Sequence, residues 1–277
     1  MANEFVKQEY LHKLKKMCLF DGLFFRKAFD QNTAASQKVL RTILEDDKIK
    51  VVKAKTEYTI TGLASHSVQL DLLAMDSEGK YFNVEVQTES SGAPPQRARY
   101  YSGAVDTGHF PKNEDYSQIF DSYVIFITRE DVLGKGLPIY HVGRTIKETG
   151  ESFNDGAYIT YVNGEFSDAH TALGRLVHDF ACVNSNEIYD DTLKECVKHF
   201  KETEEGIRTM CKVMDELKNE GRIEGRAEGR AEGKKQGMHS FAELTKKLLA
   251  LGRTNDLNRA AEDEAFRDQL FKEFAIQ

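Results

Sequence analysis

The sequence contains no apolar run that approaches the roughly 20 residues of a membrane-spanning helix. Its apolar run VIFI, at residues 124–127, has only the length of a β-strand. The first 17 residues, MANEFVKQEYLHKLKKM, also lack the apolar centre of a secretion signal. Together these absences predict a cytoplasmic protein that has no membrane partner.

Cysteine and histidine show no pattern that would indicate a metal centre. The four cysteines are scattered without a C-x-x-C pair, and no cysteine–histidine cluster has the spacing of zinc ligands. We therefore expect reduced thiols and no zinc site. The loop GKG at residues 134–136 lacks the rest of a phosphate-binding P-loop, so ATP binding is not supported either.

The 277 residues carry a net charge of −7, which is an unfavourable balance for a protein that binds DNA. Lysine and arginine contacts to phosphate supply most of the non-specific affinity for DNA. Net charge is not the local field, however, and lysine and arginine are in excess in the first 60 residues. A metal-dependent nuclease also needs acidic residues in its site. The charge balance therefore weakens the case for DNA without removing it.

A predicted β-hairpin is the most informative stretch of the chain. Leu70–Met75 and Lys80–Thr88 have the composition of strands, and the sequence DSEG between them favours a tight turn. Glu85 and Gln87 lie on one face of the second strand, because alternate strand residues point the same way. If Asp71 shares that face, three polar side chains converge within a mostly apolar hairpin.

Asp71 and Glu85 admit two interpretations. In the first, they are ordinary strand residues that face water. In the second, they hold a hard cation together with a backbone carbonyl and water, which is the ligand set that Mg²⁺ prefers. The apolar neighbours favour the second interpretation, since unpaired carboxylates are rarely left in buried strands.

The order and spacing of three short motifs resemble those of a known enzyme superfamily. Asp71, the triplet Glu85-Val86-Gln87 and the run RARYY at residues 97–101 resemble the PD-(D/E)XK nucleases. More narrowly, the chain is similar to the nuclease-family transposases and the Rpn-type recombination-promoting nucleases, whose third motif is E-x-Q instead of E-x-K. The similarity runs from DGLFFRKAF, which begins at Asp21, to YVNG, and covers roughly the first two-thirds of the chain.

The resemblance implies a catalytic site for a divalent metal. Asp71, Glu85 and the carbonyl of Val86 would bind Mg²⁺, for which Mn²⁺ is a substitute, and Gln87 would orient the attacking water. On a predicted helix, Arg97 and Tyr101 lie one turn apart and would hold a DNA phosphate. Members of the superfamily often add an acid from their first helix. Glu45 is the candidate here, although a solvated helix end explains it as well.

The resemblance and the α/β pattern of predicted elements imply the same fold class. We expect a restriction-endonuclease-like mixed β-sheet flanked by helices, with an α-helical C-terminal extension. Besides the hairpin, strands are predicted at residues 49–55, 57–60, 123–128, 137–142 and 157–162. Helices are predicted at residues 5–17, 34–44 and 95–105, and the chain is helical from residue 172 onward.

Residues 220–237 form an internal repeat with a period of four, EGRI-EGRA-EGRA-EGKK-QG. Each glycine disfavours a helix by about 1 kcal/mol relative to alanine, so the segment is a weak helix on its own. It is a charged tether or an oligomer helix held by a partner. A DNA-binding arm is less favoured, because glutamate matches arginine throughout. Similar tails are common in the resembled nucleases.

Three segments are predicted from these patterns. Residues 1–180 form the nuclease-like domain, residues 181–237 a long helical segment with the repeat, and residues 238–277 a small helical tail. The short C-terminal helices bury little surface alone, so we expect them to dock or to form a homo-oligomer.

Two functions remain open from the sequence. The first is a Mg²⁺-dependent DNA endonuclease that hydrolyses phosphodiester bonds. The alternative is a catalytically weak or inactive nuclease-derived protein that binds nucleic acid or acts as a scaffold, and the negative charge and the missing lysine of the third motif favour it.

Overall fold

The computed structural model describes residues 8–61 and 67–276, and the contacts divide the chain into two compact units, Met1–Lys212 and Val213–Gln277. The first unit contains a six-stranded mixed β-sheet with flanking helices. The second unit is helical. None of the helices in the described part of the chain combines the length and hydrophobicity that crossing a bilayer requires.

The sheet has the strand order β1-β2-β3-β4-β6-β5. Its strands are β1 (Val51–Ile60), β2 (Val68–Asp76), β3 (Tyr81–Gln87), β4 (Ser122–Thr128), β5 (Ile139–Val142) and β6 (Ala157–Asn163). The first three strands pair antiparallel, β3 pairs parallel with β4, β4 pairs parallel with β6, and β5 closes the edge antiparallel to β6. This arrangement confirms the predicted mixed sheet.

The β2–β3 hairpin forms where the acidic turn predicts it. Asp76 Oδ1 accepts hydrogen bonds from the backbone N–H groups of Glu78 and Lys80, both at 2.9 Å. Gly79 adopts φ 84°, a conformation that glycine reaches without strain. The turn therefore fixes the register in which β3 returns along β2.

The helices are α1 (Gln8–Lys16), α2 (Gly22–Phe29), α3 (Thr33–Leu44), α4 (Pro95–His109), α5 (Ala172–Ala181), α6 (Asp191–Glu202), α7 (Glu204–Ala250), α8 (Thr254–Glu262) and α9 (Glu264–Glu273). Pro95 occupies the first turn of α4, where it loses no helical hydrogen bond. Buried α4 residues share an apolar cluster with Val124 and Phe126 of β4. Helix α4 is thus the crossover that makes β3 and β4 parallel.

Phenylalanines of α2 fill a second part of the core. Phe25 stacks on Phe29 with ring centroids 4.3 Å apart, and both rings contact Phe180 of α5. Helix α6 belongs to the same packing, because Phe24 meets Phe200 at 6.2 Å. The phenylalanines of DGLFFRKAF are therefore core residues.

Two elements differ from the sequence-based prediction. The strands predicted at residues 49–55 and 57–60 are one strand, β1, with Glu57 at φ 51° inside it. The helix predicted at residues 5–17 is described from Gln8 onward as α1, and its first residues lie outside the described part of the chain.

The C-terminal unit has its own small core. Leu244 and Leu248 of α7 pack with Ala260 of α8 and Leu270 of α9. Gly252 ends α7 at φ 70°, and Arg253 N–H returns to the Leu248 carbonyl at 2.9 Å. Helix α7 passes through residue 237, where the sequence places a boundary, without interruption. The boundaries at residues 180 and 237 stay predictions.

Candidate functional site: an acidic cleft beside β2 and β3

Strands β2 and β3 separate at Asp71 and Glu85. Their ladder ends at the pair Leu72–Val84, and side chains replace backbone partners beyond it. The Asp71 N–H donates to Glu85 Oε1 at 3.1 Å, and the Val86 N–H donates to Asp71 Oδ2 at 3.2 Å. Each carboxylate is therefore tied to the opposite strand. The structure brings together the two acids that the sequence singles out.

Glu85 is the more deeply placed acid. Its side chain is 1% exposed, whereas the Asp71 side chain is 13% exposed. Burial, followed by the negative charge of Asp71, raises the pKa of Glu85 to about 8. A solvated pair of acids does not describe this geometry, because Glu85 does not face water. Without a cation, the site favours the protonated form of Glu85 near neutral pH.

Arg97 is the cation nearest to Glu85. Its Nη2 lies 3.3 Å from Glu85 Oε2, and its Nη1 donates to the Gly92 carbonyl at 2.6 Å. Arg97 Nε donates to the Tyr101 hydroxyl at 2.9 Å, so the predicted one-turn spacing does bring these two side chains together. Burial, and then the negative charge of Glu85, raise the pKa of Tyr101, which keeps its hydroxyl neutral. Three protein groups thus hold the Arg97 guanidinium.

Arg26 of α2 is the cation nearest to Asp71. Its Nη1 lies 2.9 Å from Asp71 Oδ1. Its Nε lies 3.5 Å from Glu57 Oε1, an ion-pair distance, and Lys27 contacts the other oxygen of Glu57 at 3.1 Å. Glu57 stands between the register pairs Thr56–Leu72 and Tyr58–Leu70, directly across from Asp71. The left-handed conformation of Glu57 therefore occurs beside the site.

Asp71 opens onto a polar cleft of about 500 Å³. Asp71, Val86 and Gln87 line it together with Arg26 and Arg97, while Glu85 is not part of the lining described. The Val86 N–H faces Asp71, and the carbonyl of an extended residue points to the same side as its N–H. The Val86 carbonyl therefore faces the acids. Of the candidate metal ligands, Asp71 and Val86 line the cleft together with Gln87, and Glu85 is joined to Asp71 through the Asp71 N–H.

The Gln87 side chain occupies space that a side chain at residue 92 would fill. A Cβ on Gly92 would lie 2.3 Å from Gln87 Oε1, closer than any real contact. The absent side chain at residue 92 thus makes room for the Gln87 amide. By contrast, Glu45 lies exposed at the C-cap of α3 and is not among the residues that line the cleft, so the accessory acid suggested for it has no support.

The donor set fits a hard cation that takes few protein ligands. Across residues 8–61 and 67–276, no three Asp, Glu, His or Cys side chains form a metal-binding group. Each oxygen of Asp71 and Glu85 has one donor assigned to it, so a second lone pair remains on each. Two carboxylates and one carbonyl match Mg²⁺, which keeps several waters and takes only one or two carboxylates.

The comparison with known families agrees with this geometry. A family model described as PD-(D/E)XK nuclease family transposase matches residues 20–174, more than half of the chain. The chain belongs to this family. The match spans all six strands of the sheet and helices α2 to α4. No curated protein and no solved structure matches the chain.

Family membership confirms the resemblance to the PD-(D/E)XK nuclease-family transposases and the restriction-endonuclease-like α/β fold, whereas the E-x-Q variant stays a prediction. Sequence reasoning missed three neighbours of the acids, which are Arg26, Glu57 and Gly92. Arg26 could have been found from the sequence, because it is a charged residue among the phenylalanines of DGLFFRKAF, where the similarity to the family begins. Glu57 and Gly92 offered none, since their roles depend on where the strands and the loop after β3 meet.

Proposed function

We propose that this PD-(D/E)XK family protein is a Mg²⁺-dependent DNA endonuclease that hydrolyses phosphodiester bonds in the cleft beside Asp71. The observation that carries the proposal is the reciprocal tie of Asp71 and Glu85 to opposite strands. Burial, followed by the negative charge of Asp71, makes an ionised Glu85 costly. A divalent cation at these oxygens removes that cost. Mn²⁺ is the expected substitute for Mg²⁺.

The residues of the cleft have separate roles in this proposal. Asp71, Glu85 and the Val86 carbonyl would hold the cation, which when bound supplies Lewis-acid charge next to the scissile phosphate. Gln87 orients the attacking water through its amide, which both donates and accepts hydrogen bonds. In the E-x-Q motif no lysine charge is available to the transition state at this position.

Arg97 has a positioning role and a binding role. It holds the Glu85 carboxylate in place and is itself fixed by Tyr101 and Gly92. A guanidinium has five N–H donors, so two remain after these contacts. Because Arg97 lines the cleft, these donors are available to a DNA phosphate.

Nicking of supercoiled plasmid by the purified full-length chain tests the activity. We expect nicking with Mg²⁺ or Mn²⁺ and none with EDTA. Asp71→Ala should abolish nicking while the fold survives, because it removes one hard ligand and also relieves repulsion with Glu85. Glu78→Gln is the matched control, since it changes an exposed carboxylate at the far end of the same hairpin. If Asp71→Ala nicks as fast as the parent, the assigned site is wrong.

A scaffold without cleavage is the second candidate. The net charge of −7 and the E-x-Q motif favour it. Salt-sensitive DNA binding without nicking, under every metal condition above, would decide for the scaffold.

Self-association and location complete the proposal. We infer a homo-oligomer formed through the C-terminal helices, because the four-residue repeat of α7 is a weak helix by itself. We also infer a cytoplasmic protein, since the four cysteines are free thiols, three of them buried.

A further inference from the structure

The repeat of α7 is exposed on every side. Residues 216–239 are all exposed, and nothing lies within 4 Å of a Cβ placed on Gly221, Gly225, Gly229, Gly233 or Gly237. In proteins, most of the stability of a helix comes from tertiary packing of one face and not from propensity. Five glycines, at about 1 kcal/mol each, weaken this segment further. The segment therefore requires a contact that a single copy does not supply.

The repeat sorts its charges onto opposite sides of the helix. Glutamate and arginine stand two residues apart, which is about 200° around an α-helix. The acidic ridge is Glu220, Glu224, Glu228 and Glu232, and the basic ridge is Arg222, Arg226, Arg230 and Lys234. The residues four apart on each ridge carry the same charge, and like charges at this spacing are destabilising. Pairs along either ridge of the repeat thus do not stabilise the helix.

The glycine ridge lies between the two charged ridges. Seen from a partner, one flank of the glycine ridge is acidic and the other is basic. Two copies that pack by this face around a two-fold axis parallel to the helices place acid against base on both flanks. If the copies run antiparallel, the two-fold axis instead places acid against acid and base against base. The same rule holds for the opposite ridge of Ile223, Ala227 and Ala231.

We propose that residues 220–237 are a docking surface for a second copy of this chain in the parallel orientation. Glycines four residues apart allow two helix backbones to approach closely. Ridges of this spacing favour a crossing near −50°, so the contact is short and centred in the repeat. This inference deepens the proposed self-association and is independent of cleavage. In such a pair, the two chains enter the contact from the same end.

A charge-exchanged variant of the full-length chain tests the orientation. It carries Glu220→Arg, Glu224→Arg, Glu228→Arg, Glu232→Lys, Arg222→Glu, Arg226→Glu, Arg230→Glu and Lys234→Glu. The variant and the parent have the same composition and net charge. A difference in self-association between them therefore does not come from a difference in intrinsic helix propensity. In the parallel orientation, parent and variant each self-associate, but a mixed pair places like charges on both flanks.

Sedimentation of each chain, and capture of one chain by a differently tagged copy of the other, are the two measurements. We expect two dimers and a mixed pair at least about tenfold weaker, which corresponds to about 1.4 kcal/mol. A mixed pair as strong as the parent pair would overturn the parallel orientation. A monomeric parent chain would overturn the docking surface itself. Plasmid nicking by the same preparations reports separately on the nuclease.

Discussion

Arg26 Nη1 stands 2.9 Å from Asp71 Oδ1, so a cation of the protein lies at one of the two acids that a metal would need. Both side chains are partly exposed, and the Glu57 carboxylate lies at ion-pair distance from the Nε atom of Arg26. A divalent metal bound at Asp71, as proposed, would compete with the guanidinium for the same carboxylate. The metal affinity of the proposed site would then depend on this competition as well as on the ligands.

Arg26→Ala is therefore expected to strengthen metal binding in the absence of DNA. The pair is partly exposed, so we expect a dissociation constant for Mn²⁺ about two- to tenfold lower than in the parent. Titration calorimetry measures it directly. Lys27→Ala is the matched control, because Lys27 contacts Glu57 but is not paired with Asp71. An unchanged or weaker affinity in Arg26→Ala would rule out competition.

The stability of the metal-free protein should depend on the protonation of Glu85. The folded pKa of about 8 lies above the ordinary value of 4.5, so the folded state binds more protons between these values. Stability should fall as pH rises through that window and level off above it. At about 1.4 kcal/mol per pKa unit, the total fall is a few kcal/mol.

Urea unfolding between pH 4.5 and pH 9, in EDTA, measures this dependence. Glu85→Gln should flatten the curve, whereas Glu78→Gln should leave it as in the parent, because Glu78 is exposed. Added Mg²⁺ should offset the loss at the alkaline end, since binding requires the ionised carboxylate. Parallel curves for the parent and Glu85→Gln would show that the raised pKa is not that of Glu85.

Gln87→Ala is expected to lower the cleavage rate by about ten- to a thousandfold, as loss of one polar transition-state contact does. Metal affinity should change little, because Gln87 is not assigned as a ligand. Single-turnover rates and Mn²⁺ titrations separate the two effects. If the rate is unchanged, Gln87 is structural.

Gly92→Ala provides a second way to displace Gln87. The added Cβ would meet Gln87 Oε1 at 2.3 Å, and the flexible amide must move away. We expect a rate loss in the range of Gln87→Ala, with a free energy of unfolding within about 1 kcal/mol of the parent. Gly103→Ala is the matched control, because a Cβ at residue 103 has no atom within 4 Å. Gly79→Ala is not suitable, because Gly79 has a positive φ.

Two shortened chains test where the nuclease unit ends. Residues 1–212 keep α6, whose Leu193 and Val197 are fully buried, whereas residues 1–180 lose it. Each buried aliphatic side chain contributes roughly 1.5–3 kcal/mol, so the shorter chain should be less stable by several kcal/mol. Thermal unfolding of both chains measures the difference. Equal stability would favour a boundary at residue 180.

Local patterns predicted the hairpin, the crossover helix α4 and the pairing of Arg97 with Tyr101. Each depends on neighbours in the chain, through strand alternation, turn chemistry or the spacing of one helical turn. Arg26 and Glu57 depend on a contact between α2 and β1 that no local rule contains. The sequence leaves the repeat of α7 open as a tether or a helix, because glycine propensity disfavours a helix and propensity is a weak prior.

At residue 57 of β1, the stability of the fold and the alignment of Arg26 with Asp71 favour different amino acids. A residue other than glycine at φ 51° carries a cost of about 1 kcal/mol or more, which glycine would relieve. Glycine would also leave Arg26 without the carboxylate behind it, so the guanidinium would no longer be directed at Asp71. A design that seeks higher thermal stability would gain stability at residue 57 but would release Arg26 from its alignment with Asp71 in the proposed metal site. Residue 57 should therefore be left unchanged in such a design.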